Sequence, residues 1–129
     1  MGQQFLIDAN VIIDFTANKL DDKASAFVED IFNNGFNISV IVKIEVLGYN
    51  DMPAKIKLLE EFVATAHVFL LDEAVTQKTI ELRRIKKIKL GDAVIAATAL
   101  IHNLTLITRN ISDFKSIDSL TCIDPYSFK

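Results

Sequence analysis

The stretch Phe5-Leu6-Ile7-Asp8-Ala9-Asn10 constrains the fold more than any other, because an apolar run stops at a carboxylate and turns at once into a helical pattern. It predicts a central parallel strand with Asp8 at its C-terminal end. In open α/β sheets that edge is where ligands bind, since the chain diverges there into crevices between loops. If other carboxylates arrive at the same edge from distant sequence, Asp8 is one ligand of a metal site.

Short β-branched runs alternate with longer helical patterns along the rest of the chain, which points to an α/β protein rather than a bundle or a sandwich. A length of 129 residues suits one domain, residues 1–129, with a two- or three-layer core. No internal repeat or low-complexity linker divides it. The longest apolar stretch, residues 93–101, falls well short of the ~20 residues needed to span a bilayer. The first residues lack a signal-peptide pattern, so the expectation is a soluble, cytoplasmic protein. Cys122 is the single cysteine; no intrachain disulfide can form, and a buried free thiol is expected. A net charge of −3 argues against a protein that coats nucleic acid by bulk charge. Any nucleic-acid contact must therefore be local.

Taken in order, Asn10 is placed to cap a short helix over residues 11–17. Asp21 or Asp22 caps the next, in which Ala24, Phe27, Val28 and Ile31 form an apolar stripe and Gly35 supplies a left-handed stop. Residues 37–40 predict the second strand. A short helix over residues 43–47 then brings Glu45 back about one turn beyond the strand end. Asp51 is placed to cap a helix with Pro53 in its first turn and a stripe of Ile56, Leu59, Phe62 and Val63. Residues 67–71 predict the third strand, and Asp72 an ordinary N-cap. His67 and His102 are spaced for no metal motif.

The helix from Glu73 is expected to end in Arg83-Arg84-Ile85-Lys86-Lys87-Ile88-Lys89, the one strong positive cluster. Its five cations form either a solvated amphipathic face, favourable near a helix C-terminus, or a phosphate-contacting edge beside an active site. Next comes Leu90-Gly91-Asp92-Ala93-Val94-Ile95-Ala96-Ala97-Thr98-Ala99-Leu100, whose alanines let a buried helix pack close to the sheet. Asp92 stands at its start, where capping and catalysis explain a carboxylate equally well. Residues 104–108 predict a further strand, followed by Asn110 and Asp113, and residues 120–123 a short edge strand. Periodicity thus yields four candidate acids, Asp8, Glu45, Asp92 and Asp113, each at a strand end or helix start.

Four blocks carry a resemblance over nearly the whole chain: Leu6-Ile7-Asp8-Ala9-Asn10-Val11; Ile38-Ser39-Val40 leading to Ile44-Glu45-Val46; Leu90-Gly91-Asp92-Ala93-Val94-Ile95-Ala96-Ala97; and Thr108-Arg109-Asn110 with Asp113-Phe114. In this order they resemble the PIN-domain ribonucleases, and specifically the small VapC-like toxins of toxin–antitoxin pairs. The resemblance implies a three-layer α/β/α sandwich with a central parallel sheet in strand order 3-2-1-4-5. It also implies an acid cluster of Asp8, Glu45, Asp92 and Asp113 that binds Mg²⁺ or Mn²⁺ and cleaves RNA to leave a 5′-phosphate. Asn10 looks like a residue that orients Asp8, Thr108 like one that hydrogen-bonds near the metals, and Asn110 like an alternative to Asp113. Val42 departs from the Ser or Thr common in the family at that place. The implied partners are RNA, a second copy in a homodimer, and an antitoxin whose tail places a basic side chain among Asp8, Glu45 and Asp92.

Chemistry gives separate support for a metal. Two carboxylates about 5 Å apart repel by roughly 3 kcal/mol at an effective dielectric of 20, and a hard divalent cation removes that penalty. All-oxygen ligands suit Mg²⁺ or Mn²⁺ rather than zinc. Two rivals stand beside the endoribonuclease. One is a haloacid-dehalogenase-like phosphatase, suggested by Asp8-Ala9-Asn10-Val11 and Gly91-Asp92, although Asn10 cannot serve as that family's general acid. The other is a PIN-like RNA- or protein-binding module without catalysis. Among partners, a mean hydropathy of +0.30 and nine Phe in so short a chain point to an exposed apolar interface. The helix containing residues 53–63 is the candidate for it.

Overall fold

The computed structural model describes residues 4–129. Five strands form one parallel sheet in the order β3-β2-β1-β4-β5, flanked by helices in a three-layer α/β/α arrangement. The central strand is β1, Phe5–Ile7, between β2, Asn37–Ser39, and β4, Thr105–Ile107; the edges are β3, His67–Phe69, and β5, Cys122–Ile123. Leu6, Ile7, Ile38, Leu106 and Ile107 are fully buried. A parallel strand covered on both faces must be apolar on both, so these short runs show no alternation. The edge strands are more open, and His67 at the start of β3 is exposed.

The helices are α1, Ala9–Thr16; α2, Asp22–Asn33; α3, Val40–Leu47; α4, Pro53–Val63; α5, Glu73–Ile85; α6, Leu90–Ile101; and the single turn α7, Ile111–Phe114. A 3₁₀ turn, Pro125–Ser127, follows β5. Residues 93–99 of α6 are buried without a break, and α6 packs against β2 and β4. Its alanines make this possible, because small side chains let the helix axis approach the strands. Phe15, Phe32, Phe36 and Phe62 join α1, α2 and α4 through tilted and edge-on contacts of 4.8–6.2 Å between ring centroids. No helix among the described residues is long and apolar enough to cross a membrane.

Several local expectations are corrected. Helix α1 begins at Ala9, two residues earlier than expected, and its N-cap is Asp8, not Asn10. The strand therefore passes into the helix without a loop. Helix α3 likewise begins at Val40, because Ser39 caps it with a hydroxyl that accepts from the Ile41 amide at 3.1 Å. At α4 the N-cap is Met52, and Asp51 accepts instead from the Met52 amide. Helix α5 stops at Ile85, so Lys86, Lys87 and Lys89 lie on the connection to α6 rather than on a helical face. Ile85 is mostly exposed, so the buried stripe of the helix ends at Leu82. Asp72 caps α5 as expected, accepting from the Val75 amide at 2.9 Å. Gly35, at φ 90°, takes the left-handed conformation just past α2 that glycine adopts most readily.

Candidate active site

The strand order reverses at β1, since β2 lies on one side of it and β4 on the other. The crevice at the C-terminal ends of β1 and β4 is thus the switch point at which open α/β sheets bind ligands. Asp8 follows β1 and Thr108 follows β4, and they meet across the crevice. The Thr108 hydroxyl donates to Asp8 Oδ2 at 2.8 Å, while Oδ1 accepts from the Ala9 amide at 2.8 Å. Thr108 Oγ1 in turn accepts from the Asn110 amide at 3.0 Å. Both residues are buried, so the carboxylate is held at each oxygen by a fixed donor. The Asn10 carbonyl accepts from the Tyr126 hydroxyl at 3.4 Å.

The other acids arrive on three separate elements. Glu45 stands on the exposed side of α3, one and a half turns past the end of β2. Asp92 lies in the first turn of α6, and Asp113 in α7 after β4. The connection from each to its strand puts it at the same edge as Asp8. Electrostatic coupling shows the proximity. The Glu45 carboxyl is pushed above its ordinary range by partial burial, then by the charge of Asp8, then by that of Asp92. Asp92 is pushed up by partial burial, then by Asp113 and Asp8, with Lys89 opposing. Each acid is thus linked to Asp8 directly or through Asp92.

The group is open rather than caged. Among the described residues, no three His, Cys, Asp or Glu side chains are grouped tightly enough to hold an ion by themselves. Mg²⁺ keeps several waters and takes only one or two carboxylates directly, so it does not require such a group. The donor set also fits by chemistry. It is all oxygen, neighbouring carboxylates push the Glu45 and Asp92 carboxyls up, and Asp8 has both oxygens fixed by hydrogen bonds. Val42 is fully buried, so the family's hydroxyl at that place is replaced by packing.

Of the basic run, Arg83 and Arg84 are exposed in the last turn of α5 and line an apolar groove with Leu71, Ile80, Leu90 and Val94. Lys89, the N-cap of α6, acts on Asp92. The run is therefore divided, and only its last member is coupled to the acids. His102 caps the end of α6 and stacks on Phe69 with ring centroids 4.0 Å apart. Cys122 is half-buried on β5, and desolvation followed by the charge of Asp8 raises its thiol to about 11. Sequence reasoning missed Asp14, Arg109 and Tyr126, which join beside the site through hydrogen bonds and an ion pair. Their separation of up to 112 residues leaves no spacing signal.

An acid-lined crevice at the switch point of a parallel sheet, sandwiched by helices, defines the class: an α/β/α domain with a hydrolase-type carboxylate edge. Within that class the chain belongs to the PIN domain family, whose model matches residues 5–120. Its fold is VapC-like. It is similar to a toxin–antitoxin complex from Klebsiella pneumoniae, at 28% identity and a TM-score of 0.78, over 95% of this chain and 98% of that one. FitAcB from Neisseria gonorrhoeae aligns with a TM-score of 0.78 at 23% identity, over 96% of this chain and 99% of that one. DNA-bound VapBC from Salmonella typhimurium also gives 0.78, at 20% identity, over 95% of this chain and 98% of that one. At these lower identities the likeness is one of fold. No curated protein matches the chain. The family match displaces the haloacid-dehalogenase-like alternative.

Proposed function

We propose that this chain is a metal-dependent endoribonuclease and the toxin of a VapBC-type toxin–antitoxin pair. The observation that carries the reading is a buried Asp8 fixed by Thr108 and the Ala9 amide, whose charge acts on Glu45 and Asp92, with Asp113 acting on Asp92 in turn. Carboxylates that act on one another from separate elements repel, and a shared cation would offset that cost.

In this reading Asp8, Glu45, Asp92 and Asp113 would hold Mg²⁺ or Mn²⁺. Such an ion would supply Lewis-acid chemistry for hydrolysis of a phosphodiester. The protein's own contribution is orientation. Thr108 and the Ala9 amide set the direction of both Asp8 oxygens, and Asn110 fixes Thr108 through its backbone amide. Glu45 and Asp92 are protonated more readily than isolated carboxyls, and a cation at the edge would favour their ionised forms. Arg83, Arg84, Lys86, Lys87 and Lys89 supply phosphate contacts along one approach to the crevice.

The partner reading rests on fold and composition. An antitoxin partner agrees with the toxin–antitoxin complexes this fold is similar to; the homodimer and the basic side chain among Asp8, Glu45 and Asp92 are what the family resemblance implies. Such a side chain would compete with the metal for the same charges.

An RNA-cleavage assay tests the activity. The wild-type protein should cut RNA internally with Mg²⁺ or Mn²⁺, leave 5′-phosphates, and stop in EDTA. Asp8→Asn and Asp92→Asn should be inactive with folding intact. Cleavage at the wild-type rate by either variant would sink the mechanism, and an inert wild-type protein that still bound RNA would point to the non-catalytic module.

A further inference from the structure

Arg109 lies between Thr108, which donates to Asp8, and Asn110, whose amide holds Thr108. No role has yet been given to it. Its guanidinium is tethered at two points. Nη1 pairs with Asp14 Oδ2 at 3.3 Å, and its central carbon lies 5.6 Å from the centre of the Tyr126 ring. The Tyr126 hydroxyl donates to the same Asp14 oxygen. Burial, that hydrogen bond and the charge of Asp14 keep the phenol protonated far above the physiological range, so it remains a donor. Asp14 Oδ2 is thus shared between two donors, and its pairing with Arg109 is incomplete.

Two further facts bear on what such a cation does. Arg109 keeps 47% of its side chain exposed although it is tethered. Asp14 takes only one nitrogen of a planar group that carries five donors and suits phosphate oxygens in pairs. Unlike Lys89, Arg109 is not among the charges acting on Glu45 or Asp92. Its charge is therefore not a counter-ion to Glu45 or Asp92; next in sequence to Thr108, it is tethered and accessible.

We propose that Arg109, held in place by Asp14 and Tyr126, is a phosphate-binding residue for the RNA strand next to the acid crevice. The inference rests on the endoribonuclease reading and deepens it. It assigns a phosphodiester contact to the loop after β4, on a different element from the basic run of α5 and its connection. Asp14 and Tyr126 are positioning residues in it, since they reach the strand only through Arg109.

The test is binding of a fluorescent single-stranded RNA in EDTA over a range of salt concentrations, with Mn²⁺ binding and cleavage measured on the same preparations. Arg109→Gln should weaken RNA binding by about threefold to tenfold and reduce the salt slope by about 0.7, the value for one phosphate contact on a single strand. Arg109→Lys should keep the slope, because the charge remains. Tyr126→Phe should also keep the slope while weakening binding by about twofold, because it removes the hydroxyl that holds Asp14 and leaves the charge count unchanged. Mn²⁺ affinity should match wild type in all three. A wild-type salt slope in Arg109→Gln would overturn the assignment. So would a loss of Mn²⁺ affinity as large as the loss of RNA affinity, which would mean that Arg109 only props up the acid edge. If wild type cuts RNA and Arg109→Gln binds normally, this inference alone fails; if wild type neither binds nor cuts RNA, the proposed function fails with it.

Discussion

Asp8 has a fixed donor on each oxygen, and this single residue joins strand, helix and site. Its backbone amide donates to the Ile107 carbonyl at 2.9 Å, extending the β1–β4 pairing by one residue, while its side chain caps α1. The same rigidity makes Thr108 a sensitive position. Thr108→Val keeps the shape and leaves Asp8 Oδ2 without its buried donor, a loss of about 1–3 kcal/mol. Outer partners of metal ligands typically matter by about 10- to 100-fold in metal affinity or activity. Urea unfolding and cleavage rates on Thr108→Val should show both effects, and a variant that is destabilised yet cuts at the wild-type rate would remove Thr108 from the mechanism. Glu45 and Asp92 give a second test, with a definite sign. Their folded-state pKa values are raised, so between the ordinary carboxylate range and those raised values the folded protein binds more protons than the unfolded one. Stability from these groups is therefore full at low pH and lost as pH rises through the folded values. In EDTA, Glu45→Gln and Asp92→Asn should raise the thermal midpoint at neutral pH, and the gain should fade on acidification. Midpoints that do not depend on pH in this comparison would mean that the acids do not repel one another as described.

Among the elements, α6 carries the greatest constraint, with seven consecutive buried residues against the sheet. Ala97→Leu adds volume where there is no room and should cost about 1–3 kcal/mol, read as a shift in the urea midpoint; an unchanged midpoint would show that the helix can move off the sheet. How far each element could be read from the chain followed from how local its cause is. The apolar runs of β1, β2 and β4 and the alanines of α6 announce burial directly, and Asp72 announces the start of α5. The starts of α1 and α3 were less legible. Asp8 and Ser39 each end a strand and cap a helix, so a residue expected to lie in a loop does two jobs at once. The end of α5 was hidden as well, because the spacing of Ile85 and Ile88 continues a helical stripe that the backbone abandons at Lys86, whose φ and ψ are extended. The site divides in the same way. Of its four candidate acids, Asp8, Asp92 and Asp113 sit beside a strand end or helix start and could be found by position, and Glu45 lies further along α3, whereas the Asp14–Arg109–Tyr126 contact joins three distant stretches and has no local sign.

For the whole molecule, the apolar excess has a different origin from the one composition suggested. None of the nine Phe is exposed; they lie in the core or in ring contacts between helices and the C-terminal turn. The exposed apolar side chains are aliphatic residues, Tyr49 and Met52. Tyr49, Met52 and Leu58 lie on or beside α4, and Leu71, Ile80 and Leu90 line the groove beside α6. Patches of this kind favour association, so light scattering at tens of micromolar should give a dimer mass, and a monomer mass would contradict the homodimer. The central claim, that the strand-end acids form one divalent-cation site, is tested most directly by electron paramagnetic resonance of Mn²⁺, in which only the free ion gives the sharp signal. Titrating wild-type protein into Mn²⁺ should remove that signal stoichiometrically, while Asp8→Asn and Asp92→Asn, folded by circular dichroism, should leave most of it. Equal loss of signal with wild type and both variants would mean that the ion is held elsewhere and that these carboxylates are not its site.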